Sequence, residues 1–123
     1  MWEANEELCD KFFATDSASP FIDPSHRELL LELLEDDRDP LRWSAARVEQ
    51  AIGSAHYYDY SLPLEVALDA PDLLRAFIPF AHAQSGIRDE LTSRTLAVVD
   101  ALRSSYKRDV LRRANYWGLD DAV

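Results

Sequence analysis

Residues 69–86 read DAPDLLRAFIPFAHAQSG. Pro71 falls where the first turn of a helix leaves its N–H unused, so a proline there costs nothing. Behind it, Leu73, Leu74, Phe77, Ile78 and Ala81 recur at three- and four-residue steps, the spacing of one buried helical face. Gly86 suits the position just past the helix end, where the chain turns left-handed. Pro79 lies inside the pattern and removes the bond to the Arg75 carbonyl, so a kink is expected there. A helix this apolar has to be surrounded by others, and it is read as the central one.

Toward the C-terminus, Leu91, Thr95, Val98, Val99, Leu102, Tyr106 and Val110 continue the helical spacing through about residues 88–116. Ser104-Ser105 is the weak point, which leaves one long helix or two open. Gly118 ends the segment, and 118–123 reads as a loose tail. Toward the N-terminus, 64–68 reads as a single helical turn. Tyr57, Tyr58 and Tyr60 with Pro63 mark a turn, and Val48, Ala51, Ile52 and Ala55 place a helix near 45–57. Ser44 is its candidate N-cap, and Trp43 is positioned as a hydrophobic staple for Val48.

The run EDDRDP closes a preceding helix, because Pro40 disfavours helical geometry at Asp39. That helix carries Leu29, Leu30, Leu31, Leu33 and Leu34 behind Ser25-His-Arg-Glu28, which reads as a capping box. Residues 15–24 form a loop denied helix by two prolines, with Phe21 and Ile22 expected to tuck under as a plug. A first helix covers about 3–14, with Leu8, Cys9, Phe12 and Phe13 on one face and Glu3, Glu6 and Glu7 at the favourable end of its dipole. Glycines occur only at 53, 86 and 118, and no alternating strand pattern appears. The reading is all-α: one domain over residues 1–123, a bundle of about five to six helices.

Composition narrows the classes further. An apolar fraction of 47% is ample for a core, so no staple is required, and Cys9 as the only cysteine excludes an intrachain disulfide. No stretch approaches a membrane span, and residues 1–14 lack the continuous apolar run of a signal peptide; a cytoplasmic location is expected, with no membrane partner. Net charge is −10, which opposes nonspecific approach to nucleic acid. Its placement is uneven: residues 1–70 carry 16 acidic and five basic side chains, residues 71–123 seven and eight. Arg103, Lys107, Arg108, Arg112 and Arg113 form a basic stripe interrupted by Asp109.

No constellation of catalytic chemistry emerges. His26, His56, His82 and Cys9 share no i, i+4 or C-x-x-C spacing, so no metal site is assigned. Cys9 lies on an apolar face among acids, the setting of an inert buried thiol rather than a nucleophile. Isolated glycines build no phosphate loop, and the acidic cluster Glu35, Asp36, Asp37 and Asp39 lacks the glycine and periodicity of a calcium loop. No cofactor is implied. Tyr57, Tyr58, Tyr60 and Trp117 are candidate interface residues, since such rings join apolar area to a polar tip; the tyrosines would equally serve a loop wrapped on the core.

In order along the chain, NEELCDKFFAT, DPLRWS with its following helix, and LDAPDLLRAFIPFAHAQSGIRDELTSRTLAVVDAL resemble an actinobacterial helical family of unknown function. Its members occur alone or fused to zinc-binding SEC-C segments or transposon-passenger-type domains. The resemblance spans most of residues 5–110, and APDLLRAFIPFAH and GIRDELTSRTLAVVD are its most specific blocks. Pro79 stands where the family pattern has a basic residue, HYYDYSLPLE lacks a basic ending, and no SEC-C cysteine cluster is present. The resemblance implies helical packing and no chemistry.

Together these features point to a noncatalytic helical protein-interaction module, acting on a protein partner or by self-association. The alternative is a nucleic-acid-associated regulator using the stripe from Arg103 to Arg113. One expectation bears on the choice: the acidic first half and the stripe, densest at Glu35–Asp39 and Arg103–Arg113, are expected to meet within the molecule, which neutralises the stripe and closes it to phosphate.

Overall fold

The leucine and phenylalanine spacings translate into six α-helices in the computed structural model, which describes residues 2–35, 39–53 and 62–116, with side chains for 4–35, 39–53 and 62–112. They are α1 (Trp2–Phe13), α2 (Ser25–Leu33), α3 (Ala45–Ile52), α4 (Leu64–Ala67), α5 (Ala70–Ser85) and α6 (Asp89–Tyr116), with a 3-10 turn at Asp16–Ala18. No strand occurs among the described residues. None of the helices is long and apolar enough to cross a membrane. Tyr57, Tyr58, Tyr60, Trp117 and His56 lie outside the described residues, as do Asp36 and Asp37.

The central helix is α5. Leu73, Leu74, Phe77, Ile78 and Ala81 are all fully buried, as their spacing requires. Pro79 sits inside the helix without dividing it. Both Pro79 and Arg75, whose carbonyl has no proline N–H to accept from, are exposed, so water can take the freed carbonyl. Gly86 stops the helix at φ 71°, and its amide and that of Ile87 both donate to the His82 carbonyl.

That turn sends α6 back along α5. Asp72 meets Arg103 and Arg75 meets Asp100, so three steps up one helix match three steps down the other, an antiparallel register. α6 is one continuous helix through Ser104-Ser105, and the Ser105 hydroxyl bonds the Leu102 carbonyl instead of breaking the ladder. α3 packs on α6; α1 and α2 pack together, with α2 and the 3-10 turn against α5. Phe12 is the hinge of that second layer, with its ring edge-on to Phe77 at 5.4 Å and to Phe80 at 5.6 Å. The Tyr106 hydroxyl donates to the Ala67 carbonyl and ties α6 to the end of α4.

Four expectations need correction. The Ser25–Glu28 capping box is not formed. Pro24, with its preset helical φ of −54°, starts the turn one residue early, and the Asp23 carboxylate accepts the Ser25 amide instead. Ile22 does not tuck under: it is 87% exposed, because Phe21 points inward to the His26 ring and its neighbour on a non-helical stretch points away. Leu91 is also exposed, since the first turn of α6 faces the 39–45 segment rather than the core. Leu102 packs on the core but is only half-buried.

Core assignments separate accordingly. Leu30→Ala and Phe77→Ala are each expected to cost about 2–5 kcal/mol, as for fully buried side chains, and Leu102→Ala clearly less. Urea unfolding of the three variants orders them; a Leu102 loss equal to that of Phe77 would contradict the burial pattern.

Candidate functional site

Residues 39–44, DPLRWS, cross the molecule without helix or sheet, and their backbone groups need other partners. Side chains supply them. The Trp43 amide donates to His82 Nε2 at 3.0 Å, and the Trp43 carbonyl accepts from the Thr95 hydroxyl at 3.1 Å. The Leu41 carbonyl accepts from Ser85, the Pro40 carbonyl from the Trp43 indole N–H, and the Asp39 and Arg42 carbonyls from one nitrogen of Arg47. Ser44 then caps α3, accepting the Arg47 amide at 3.1 Å, and its carbonyl begins the helical ladder. α5 and α6 thus act on this segment as neighbouring strands would in a sheet.

Two of those donors and acceptors are ionisable and buried. Arg47 is only 2% exposed, and its guanidinium lies 4.1 Å from the Trp43 ring centroid. Carbonyl oxygens and the indole face replace water around the charge. A backbone amide can only donate, so the Trp43 bond requires a lone pair on His82 Nε2 and places the ring proton on Nδ1. That proton points to the Thr92 hydroxyl at 2.8 Å, and Thr92 passes a weaker bond to the Arg88 carbonyl. Burial pushes the His82 pKa down, and the amide bond favours the same neutral ring.

A groove of about 600 Å³ opens beside this clamp. Trp43, His82 and Thr95 form one wall, while Ile87 from the turn after α5 and Leu91 from the first turn of α6 line it. Leu91 is 41% exposed at its edge. Arg42 and Arg94 stand exposed on the rim, with Asp39, whose carboxylate accepts the Leu41 amide. The lining is chiefly apolar with a few convergent polar groups, the usual make-up of a binding surface.

Elsewhere the structure relocates the expected features. Arg103 makes a two-pronged contact with Asp72 at 2.7 and 3.3 Å, and Lys107 reaches the same carboxylate at 3.2 Å. The Arg103 contact, with help from Lys107, holds the Asp72 carboxyl below its ordinary range. Two members of the stripe, Arg103 and Lys107, are therefore engaged within the molecule, by Asp72 in the first turn of α5 and not by Glu35 or Asp39. Asp72 wins because the antiparallel register brings it opposite Arg103. Arg112 lies 3.8 Å from Asp109 on its own helix, Arg108 is exposed, and the Arg113 side chain is outside the described residues. Cys9 is fully buried, and burial pushes its thiol up to about 12, so it stays protonated. Among the described residues, no group of three or more His, Cys, Asp and Glu is placed to hold a metal ion.

Sequence reading did not find the groove. Its one local signal is DPLRWS itself, a tryptophan one residue before an N-cap with Arg47 one helical turn beyond. Arg42 and Arg94 carried no signal, because nothing in spacing brings residues from two distant segments to one rim. Comparison with protein-family models, with curated proteins and with solved structures finds no match.

Two outcomes follow from the clamp. Arg47→Met leaves carbonyl oxygens without their donor and is expected to destabilise by about 2–3 kcal/mol, with Arg47→Lys recovering only part, because a point charge cannot both stack on the indole and span two carbonyls. Equal stability of Arg47→Met and the unaltered chain in urea would contradict the clamp. His82, with its pKa lowered on folding, contributes stability that is complete above the unfolded value of 6.5 and is lost as pH falls below it. Melting temperature is thus expected to fall on acidification below about pH 6.5 more steeply in the unaltered chain than in His82→Gln; parallel curves would contradict the assignment.

Proposed function

We propose that this protein is a noncatalytic protein-interaction module whose docking surface is the groove beside Trp43. One observation carries the reading: an apolar wall with Leu91 at its open edge is held in place by hydrogen bonds from three separate elements. Exposed apolar surface that is also rigid is what recognition uses, since a preset wall costs little to order on binding. Engagement of Arg103 and Lys107 by Asp72 supports a protein partner over nucleic acid, because cations already paired have less to offer phosphate. The resemblance to the actinobacterial helical family concerns packing and adds no chemistry to this reading.

Site-specific photocrosslinking in the native cells tests it. A photoreactive residue at Leu91 is expected to give a discrete protein adduct, and the same residue at Ser104, exposed on the middle of α6, is expected to give none. An adduct of twice the chain's mass identifies a second copy as the partner. Adducts from Ser104 and none from Leu91 would overturn the assignment.

A further inference from the structure

Charge around the groove specifies its occupant further. We infer that the groove takes an acidic peptide segment of a partner protein, with one large apolar side chain seated against Ile87 and Leu91 and flanking carboxylates on Arg42 and Arg94. The inference rests on the docking reading above.

The molecule carries a net charge of −10, and several of its described cations face its own acids: Arg27 with Asp10, Arg75 with Asp100, Arg103 and Lys107 with Asp72. Arg42, like the exposed Lys11, Arg88 and Arg108, has no acidic partner among the described residues, and of these four it is the one that lines the groove. Among the described residues Arg94 pairs only with Glu90, at 3.4 Å, an exposed pair one helical turn apart, which a ligand carboxylate can replace at little cost. The acid on the same rim, Asp39, is turned to the Leu41 amide of its own loop. The groove is thus a basic, apolar patch on an acidic protein. The contrast is plain in another groove, about 530 Å³ between α1 and α2, which is lined by Glu6, Glu28, Glu32 and Glu35 around Arg27. At physiological ionic strength, charges beyond roughly 8 Å are screened, so an approaching peptide responds to the local sign and not to the net charge. Guanidinium groups suit carboxylates geometrically, and the fixed wall needs no rearrangement to accept an anchor.

A random dodecapeptide display library panned against the full chain provides the test. Selected peptides are then titrated by fluorescence anisotropy against the unaltered protein, Arg42→Glu/Arg94→Glu and Leu91→Ser. All three positions are exposed, so circular-dichroism melts should be unchanged and confirm that each variant folds. The expected result is enrichment of peptides with one Leu, Phe or Trp flanked by Asp and Glu. Affinity is expected to fall about tenfold or more in the double arginine variant, to weaken on replacing the anchor by Ser, and to decline as salt rises. Neutral or basic peptides that are nevertheless weakened by Leu91→Ser would overturn the acidic chemistry and leave the docking reading standing. Failure to select any peptide, or peptides indifferent to all the variants, would overturn both. Light scattering separates the remaining source: a dimer abolished by the double arginine variant would assign the groove to the acidic face of a second copy and overturn the separate partner.

Discussion

The two hydrogen bonds to Trp43, one from its amide to His82 and one to its carbonyl from Thr95, hold together parts of the chain that secondary structure alone would leave apart. Residues 39–44 have no helix or sheet to satisfy them, and a buried backbone without partners is costly. Because the partners come from α5 and α6, the segment can be ordered only once that hairpin exists. Ser44 then starts α3 in the right place for Val48 and Ile52 to enter the core. The groove follows from the same bonds, since its wall is the residues that make them.

Charge plays a separate part. The acids and bases of α5 and α6 interlock through an antiparallel register, with Asp72 taking Arg103 and Lys107, and Asp100 taking Arg75. These pairs are partly exposed, and their main physical effect is alignment, for a shift of one helical turn would set like charges opposite each other. Asp72 also lies in the first turn of α5, where the helix dipole favours a carboxylate. An internal exchange of this kind occupies cations that would otherwise face outward.

With Arg103 and Lys107 engaged, Arg42 and Arg94 on the rim of the groove are among the exposed guanidinium groups that remain. Arg42 comes from the irregular segment and Arg94 from the first half of α6, and they flank apolar surface that the bundle leaves open at Leu91. His82 and Thr95, the polar groups in the wall, are already committed to Trp43.

The amino-acid sequence by itself determined the local facts: a helical fold, Pro71 at the start of α5 and Gly86 at its end, Ser44 as an N-cap, and the buried faces of α2 and α5. These are legible because capping, proline and glycine effects act within a turn or so of the residue responsible, and because burial repeats with the helical period. The same locality explains the errors at Ser25 and Ile22, where a neighbouring proline and an inward phenylalanine decided between two short-range solutions. Only the tertiary structure decided that Leu91 is open, that Asp72 receives Arg103 and Lys107, and that His82 and Thr95 serve the backbone of Trp43. Periodicity reports that a residue lies on an apolar face but not which neighbour covers it. Those pairings join segments 31 to 52 residues apart, and their geometry exists only after the helices have packed.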